Sequence, residues 1–203
     1  MNRVYAPSLR PRLTERDVRL ALRLRAATAS AHSRLERDLD LLRPPLSRAR
    51  FTALLVRFWG FHAASEPAIR RHGALAHLMD GRYRLDILAR DLQSAGLSRG
   101  EIEALPQCAA ADSLGLSVEG ALGLLYVTEG STLGGRLISR ALSEVSWLPP
   151  GGVVYFNPYG SRTAAMWRNF QNELTAHSSP AADPLIEASA LDTFAVLYDW
   201  LAH

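Results

Sequence analysis

Apolar residues recur every three or four positions along most of this 203-residue chain, and this period is typical of α-helices that bury one face. The first such segment extends from Thr14, a predicted N-cap, to about Leu42, and Pro44 and Pro45 follow it. Further helices are predicted where a capping or first-turn residue precedes an apolar stripe, at Ser47, Asp80, Ser98, Ser117, Ser161 and Asp183. The sequence therefore predicts an all-α bundle of about seven helices.

Nothing in the sequence divides these helices into separate units. There is no internal repeat, low-complexity tract or long linker. Residues 1–203 are therefore expected to form a single domain, with residues 1–13 as a loosely ordered N-terminal arm. Pro67 is expected to bend or break the second helix. Residues 149–160 are predicted to be a loop, although residues 153–156 are strand-forming types.

The composition is that of an ordinary globular protein, with 48% hydrophobic and 21% charged residues. No apolar run approaches the ~20 residues that a membrane-spanning helix needs, and the N-terminus lacks the apolar core of a secretory signal. The single cysteine, Cys108, excludes a disulfide within the chain and a cysteine-based metal cluster. A cytoplasmic location without a membrane partner is therefore expected.

All 23 basic residues are arginines, and the formal net charge is +3. The absence of lysine excludes Schiff-base and lysine-nucleophile mechanisms. A bound carboxylate or phosphate would need arginines, backbone N–H groups or hydroxyls. The arginines are spread along the chain without the aromatic residues that interleave a nucleic-acid face, so no nucleic-acid partner is expected. A basic patch that meets an acidic protein remains compatible with the charge.

His32 lies on the apolar face of the first predicted helix, one turn after Thr28 and one turn before Glu36. The residues around it are small and leave space beside the imidazole: Ala26, Ala27, Ala29, Ser30 and Ala31. Glu36 can accept a hydrogen bond from one ring nitrogen, which is how a metal-binding imidazole is commonly oriented. Arg25 can contact an anionic ligand. A core histidine without a ligand is the alternative that this segment alone leaves open.

Five glycines fall within residues 120–135, although each costs ~1 kcal/mol relative to alanine inside a helix. Close helix packing would explain Gly120 and Gly123, and a turn would explain Gly134 and Gly135. The functional alternative is a kinked helix whose bare backbone lies against a flat ligand, with Gly130 and Gly134 on one face. A phosphate loop is excluded because the stretch lacks GxxxxGK and a preceding strand.

Together these segments resemble the haem oxygenase family, and most closely its bacterial branch associated with bacteriophytochromes. The resemblance rests on L-R-x-x-T-x-x-x-H-x-x-L-E at residues 24–36 and on G-x-L-Y-V-x-E-G-S-x-L-G-G at residues 123–135. An aromatic turn with Phe156, Tyr159 and Gly160, which leads to Trp167, supports it.

The resemblance implies an all-α fold in which haem lies between a proximal helix and a kinked distal helix. It implies that His32 ligates the haem iron, that Glu36 binds the other ring nitrogen and that Arg25 approaches the haem propionates. Gly130 and Gly134 correspond to the distal glycines that let the backbone approach the haem face, and both are assigned to the catalytic wall.

Four further residues take their expected roles from the same resemblance. Thr28 and Gly135 fall inside the two motifs and are assigned to the haem site, and Arg168 corresponds to a second propionate contact. Ser131 is assigned to the catalytic wall, but it departs from the family, because many members carry there an aspartate that orders distal waters. The route by which protons reach bound oxygen is therefore a specific question for this chain.

The implied activity is cleavage of haem b, which is both cofactor and substrate, to biliverdin, carbon monoxide and iron. A neutral histidine leaves the opposite face of the iron open for O₂, and a wall of glycine backbone offers no competing ligand. Electrons would come from an external donor, a ferredoxin or a flavin reductase, because no flavin or iron–sulfur motif is present. The resemblance further implies the α isomer of biliverdin and a bacteriophytochrome as its acceptor.

Two other functions compete with catalysis. One is a haem carrier or sensor that uses the same pocket, which the departure at Ser131 favours. The other is a helical scaffold whose site has decayed, with His32 as a plain core residue. His62, in an aromatic helix, is the next candidate for an iron ligand, although core packing is its predicted role.

Overall fold

The computed structural model describes residues 15–41, 46–148 and 153–202. Within these ranges the chain forms eight α-helices: α1 (Glu15–Leu39), α2 (Arg48–Arg70), α3 (Leu85–Ser94), α4 (Arg99–Glu103), α5 (Ala109–Leu114), α6 (Val118–Ser143), α7 (Thr163–Ala176) and α8 (Ala182–Ala202). Two 3₁₀ helices, Gly73–Met79 and Gly160–Arg162, lie between them, and the described ranges contain no strand. The predicted N-terminal arm and the Thr14 cap lie outside the described residues. The all-α prediction is confirmed.

Three predicted helix starts are confirmed by their capping hydrogen bonds. Ser47 accepts from the backbone N–H of Arg50, and Ser117 accepts from that of Gly120. Ser98 and Glu101 form a reciprocal capping box at α4. Each cap satisfies a backbone donor that the first helical turn leaves without a partner, so these boundaries follow from local sequence.

Other predicted boundaries are wrong. Pro67 does not break α2, which continues to Arg70, because Ala68 and Ile69 are buried and hold the last turn against the core. Ser161 does not cap α7. It lies within a 3₁₀ turn, and α7 begins at Thr163, whose hydroxyl donates to the Gly160 carbonyl. The first helix ends at Leu39, three residues before the predicted position, and left-handed Asp40 follows it.

The core is built where α6 and α8 pack together and where α8 packs on α1. Gly123 allows the first of these contacts, because a Cβ at this position would lie 2.7 Å from the Ile186 carbonyl oxygen of α8. The largest fully buried side chains are Phe51 and Phe61 of α2 and Phe170 of α7. No helix in the described ranges is long and apolar enough to cross a membrane.

Helix α6 is continuous over its 26 residues. The turn that would have explained Gly134 and Gly135 is therefore absent. The glycines are accommodated within regular helix, because the packing of Gly123 against α8 and of Gly135 against Phe156 holds both halves in place. The continuous helix brings residues 126–138 along one side of a large cavity.

Candidate functional site

A cavity of about 1340 Å³ lies among α1, α6 and α7. Parts of α2 and α8, together with Tyr155 and Phe156, complete its lining. Most of the lining surface is apolar. Small-molecule sites usually measure ~300–1,000 Å³, so this cavity has room for a large ligand with an extended apolar face.

The α1 side of the cavity carries the residues that the first motif predicted. Arg25, Thr28, His32 and Glu36 all line it. They share a face because they lie three, four and four residues apart along one helix. The Nδ1 atom of His32 lies 3.4 Å from Oε2 of Glu36, and the His32 ring meets the Phe194 ring edge-on at 5.9 Å. Among the described residues His32 Nε2 has no partner, so it is the nitrogen available to a ligand.

Tyr126 of α6 faces the same residues of α1. Burial raises the pKa of the Tyr126 hydroxyl, while a hydrogen bond with Thr28 and the charge of Arg25 lower it in part. Thr28 is itself buried, and its hydroxyl donates to the Leu24 carbonyl at 2.7 Å. This arrangement places a neutral phenol and a guanidinium together near one end of the cavity, a combination suited to a carboxylate of the ligand.

The α6 side presents Gly130, Ser131 and Gly134 to the cavity, as predicted. A Cβ at Gly134 would meet no atom within 4 Å, and one at Gly130 would touch only the Trp167 ring at 3.8 Å. The Ser131 hydroxyl donates to the Thr128 carbonyl at 2.9 Å, so its hydrogen is used within its own helix. At Gly130 and Gly134 this wall is therefore bare backbone, and among the described residues open space lies in front of Gly134.

Two predicted site residues do not line the cavity. Gly135 is buried on the other side of α6, where a Cβ would collide with the Phe156 carbonyl oxygen. Its role is close packing of the 153–156 segment against the helix. Arg168 is exposed and points away from the lining, because its neighbours Trp167 and Gln171 occupy the face of α7 that borders the cavity. The propionate contact at Arg168 therefore stays a prediction that this lining does not support.

A buried ionic network lies behind the α6 wall. Glu129, only 2% exposed, accepts from Nε of Arg82 at 3.1 Å and from Nη2 of Arg84 at 2.9 Å. The Tyr159 hydroxyl donates to the same carboxylate at 2.7 Å, and burial raises the Tyr159 pKa. Because Glu129 directly precedes Gly130, this network fixes the start of the bare segment of α6.

His62 is buried in α2, as predicted, but it also lines the cavity. Its Nδ1 lies 3.4 Å from Oε1 of Glu66, and its Nε2 lies 3.1 Å from the Tyr155 hydroxyl oxygen. Tyr155 is held in turn by Asp91, whose carboxylate accepts the backbone N–H groups of Val154 and Tyr155. Both ring nitrogens of His62 are therefore engaged, unlike those of His32.

Sequence reasoning missed several lining residues. Tyr155 lies in the segment that was predicted to be a loop. Gln171 lies in a predicted helix whose sequence gives no sign of a site. His62 and Tyr155 are 93 residues apart in the chain, and no local pattern indicates that they meet.

The fold and cavity define a helical protein that can hold a large, flat, partly anionic ligand against a single available imidazole. The family model described as haem oxygenase matches residues 18–203, and the chain belongs to the haem oxygenase family. It is accordingly an oxidoreductase, with haem as substrate and cofactor and with O₂ and a reductant as co-substrates.

Solved structures support the fold at low sequence identity. The haem oxygenase of Leptospira interrogans superposes with a TM-score of 0.76 at 18% identity, covering 90% of this chain and 98% of that one. Haem oxygenase-1 of Synechocystis sp. PCC 6803, solved with haem, gives 0.74 at 18% identity, covering 90% and 90%. The Neisseria meningitidis enzyme, solved with NO and CO, gives 0.69 at 23% identity, covering 90% and 92%. No curated protein sequence matches the chain.

Proposed function

We propose that this chain cleaves haem b to biliverdin, carbon monoxide and iron, with His32 as the iron ligand. The observation that carries the proposal is the Nε2 of His32, which has no partner among the described residues and lies beside a cavity whose α6 wall exposes bare backbone at Gly130 and Gly134. When bound, haem supplies a redox-active iron at which O₂ is reduced and a macrocycle that is oxidised. The residues fit this group in size, polarity and ligand type.

His32 and Glu36 act together on the α1 side. The Glu36 carboxylate accepts the Nδ1–H of a neutral imidazole, which leaves Nε2 as the lone-pair donor and makes it more basic. Thr28, one turn earlier, holds the hydroxyl of Tyr126 on the facing helix and is not proposed to bind iron. Arg25, with the Tyr126 hydroxyl, is proposed to hold a propionate at this end.

The α6 side excludes competing ligands. Gly130 and Gly134 carry no side chain that could bind iron, and the open space at Gly134 lets the macrocycle lie against the helix. Ser131 adds a hydroxyl whose hydrogen is already donated to Thr128. This wall would limit by its shape the space left beside a bound haem, and it supplies little acid chemistry of its own.

The finer assignments follow from the sequence resemblance. We propose that the product is the α isomer of biliverdin and that a bacteriophytochrome accepts it. A ferredoxin or flavin reductase with an acidic face would suit the net charge of +3, and the reaction would take place in the cytoplasm.

The deciding experiment is aerobic turnover of the haem complex with a reductase, followed by chromatographic identification of the bilin. We expect the Soret band to be replaced by a broad red band and a single α isomer to elute. A non-catalytic haem carrier is the second candidate, because Ser131 donates into its own helix. Persistence of the Soret band under reducing, aerobic conditions would favour the carrier, and a different isomer would overturn only the regiochemistry.

A further inference from the structure

We infer that Tyr155, oriented by His62 and Glu66, is a hydrogen-bond donor toward a ligand or water in the cavity. The inference rests on the proposed function and extends it, because it assigns the proton-donating role that Ser131 does not fill. His62 acts as a positioning residue through Tyr155, and Glu66 acts through His62.

The three groups form a chain that reaches the cavity surface. Glu66 and His62 occupy successive turns of α2, with Oε1 and Nδ1 3.4 Å apart. The Tyr155 hydroxyl continues the chain at 3.1 Å from Nε2. His62 and Tyr155 both line the cavity, whereas Glu66 is buried behind them.

The hydroxyls of α6 are occupied elsewhere. Thr128 donates to the Leu124 carbonyl, Ser131 to the Thr128 carbonyl and Thr132 to the Glu129 carbonyl. Each uses its one hydrogen within the helix. The remaining phenol of that wall, Tyr126, is engaged with Thr28. The Tyr155 hydroxyl differs from these α6 hydroxyls because its hydrogen-bond partner, His62, can change protonation state.

The direction of the Tyr155 hydrogen bond depends on His62. With a neutral ring, Nδ1–H donates to Glu66, Nε2 is an acceptor, and the Tyr155 O–H donates to it. With a protonated ring, both nitrogens are donors, so the Tyr155 oxygen accepts from Nε2–H and its own hydrogen becomes free. Protonation of His62 thus turns the phenol from a donor toward α2 into a donor toward the cavity.

The surroundings keep the phenol protonated and the histidine partnered. Burial raises the pKa of Tyr155, and the nearby Glu66 charge raises it further, against an opposing effect of Arg84. Glu66 also accepts the Arg84 backbone N–H at 2.6 Å, and the Arg84 guanidinium is paired with Glu129. The charged groups around His62 are therefore Glu66, which lies next to Nδ1, and Arg84, whose charge is paired with Glu129. The neighbouring rings of Phe58 and Phe61 are apolar.

The test compares Tyr155→Phe and His62→Gln with Tyr198→Phe, which removes a phenol that lies outside the cavity lining. In the ferrous carbon monoxide complex, a donor toward the ligand lowers the C–O stretching frequency. We expect the wild type to show a fall in this frequency as the pH is lowered. The fall should be lost in Tyr155→Phe and His62→Gln and kept in Tyr198→Phe.

A second readout uses the haem-free protein, so that it does not depend on turnover. Nitrogen-15 NMR of His62 should show the Nδ1–H tautomer at high pH, and Tyr155→Phe should shift the Nε2 resonance. A retained pH-dependent frequency in either variant, its loss in Tyr198→Phe, its absence from the wild type, or an Nε2–H tautomer would overturn the inference. If the wild type makes no bilin while both spectroscopic results hold, the proposed function fails and the assignment of Tyr155 stands. Turnover in Tyr155→Phe should fall by on the order of 10²-fold.

Discussion

The two long walls of the cavity differ in how their charged groups are held. On α1, the side chains of His32 and Glu36 are 48% and 66% exposed, and their contact follows from helical spacing alone. Behind α6, the side chains of Glu129, Arg82 and Arg84 are at most 6% exposed, and they come from separate segments. The α1 pair can adjust to a ligand, whereas the α6 network is fixed before any ligand arrives.

This difference separates two kinds of contribution. An exposed pair gains little free energy in water, so its removal should change stability little. A buried pair contributes to structure mainly because loss of one partner leaves an uncompensated charge. We therefore expect substitutions on α1 to affect haem chemistry and substitutions behind α6 to affect folding.

The largest effect is expected for His32→Ala. Removal of the imidazole should abolish the histidine-ligated spectrum of bound haem and its turnover, while far-UV circular dichroism stays unchanged, because the side chain is half exposed. Added imidazole should restore the spectrum. His77→Ala is the matched control, since His77 is exposed and lies outside the cavity lining. A native spectrum in His32→Ala would move the assignment to His62.

The next largest effect should separate Glu129→Gln from Glu36→Gln, the same substitution on the two walls. Glu129→Gln leaves two buried guanidinium groups undercompensated and should lower the free energy of unfolding by about 3–5 kcal/mol. Glu36→Gln should change it by less than about 0.5 kcal/mol. Urea denaturation of the haem-free proteins measures both. Equal losses would remove the contrast between the walls.

A third comparison stays within α6. Gly135→Ala forces a Cβ into the Phe156 carbonyl and should destabilise the protein by about 1–3 kcal/mol. Gly134→Ala meets no atom within 4 Å and should leave unfolding by urea unchanged or slightly improved. The larger Gly134→Leu should keep the fold and block turnover. Undiminished turnover in that variant would refute the close approach of haem to this helix.

The smallest effect concerns the carboxylate that holds Tyr155. Burial raises the folded-state pKa of Asp91 above its usual value, despite the two N–H donors from residues 154 and 155. The folded state therefore binds this proton more tightly than the unfolded chain. The Asp91 contribution to stability should fall as the pH rises from 3.8 through the raised pKa, and stay constant above it.

Asp91→Asn tests the direction of this pH dependence, because an amide oxygen does not titrate but can still accept from the same backbone N–H groups. The unfolding free energy of the wild type relative to the variant should decrease with rising pH across the acid range. An increase would mean that the two backbone donors outweigh burial and that the pKa is lowered instead. Urea titrations at matched pH values measure the difference.

The sequence predicted the α1 half of the site because every contact there is local. Thr28, His32 and Glu36 are separated by single helical turns, so periodicity alone brings them together. The same reasoning located the open backbone at Gly130 and Gly134. It did not exclude Gly135 and Arg168 from the cavity lining, since helical phase does not say which neighbour covers a face.

The other half of the site could not be predicted, because its contacts join distant segments. The bond between His62 and Tyr155 crosses 93 residues, and Arg84 reaches Glu129 across 45. A histidine among aromatic residues is also compatible with plain core packing, so the local sequence around His62 does not indicate its contact with Tyr155. The continuity of α6 was likewise missed, since the packing that tolerates its glycines is tertiary.

The empty volume in front of Gly134 makes this position a place where substrate choice can evolve at almost no cost to folding. Among the described residues no atom lies within 4 Å of a Cβ at this position, so we expect a graded series of side chains from alanine to leucine to take its volume from the cavity. Each step would exclude macrocycles by the size of the substituent that faces α6. Variants at this one residue should thus discriminate among synthetic porphyrins by the size of their edge substituents. Substitutions at the same position could also change which edge of haem is exposed to attack.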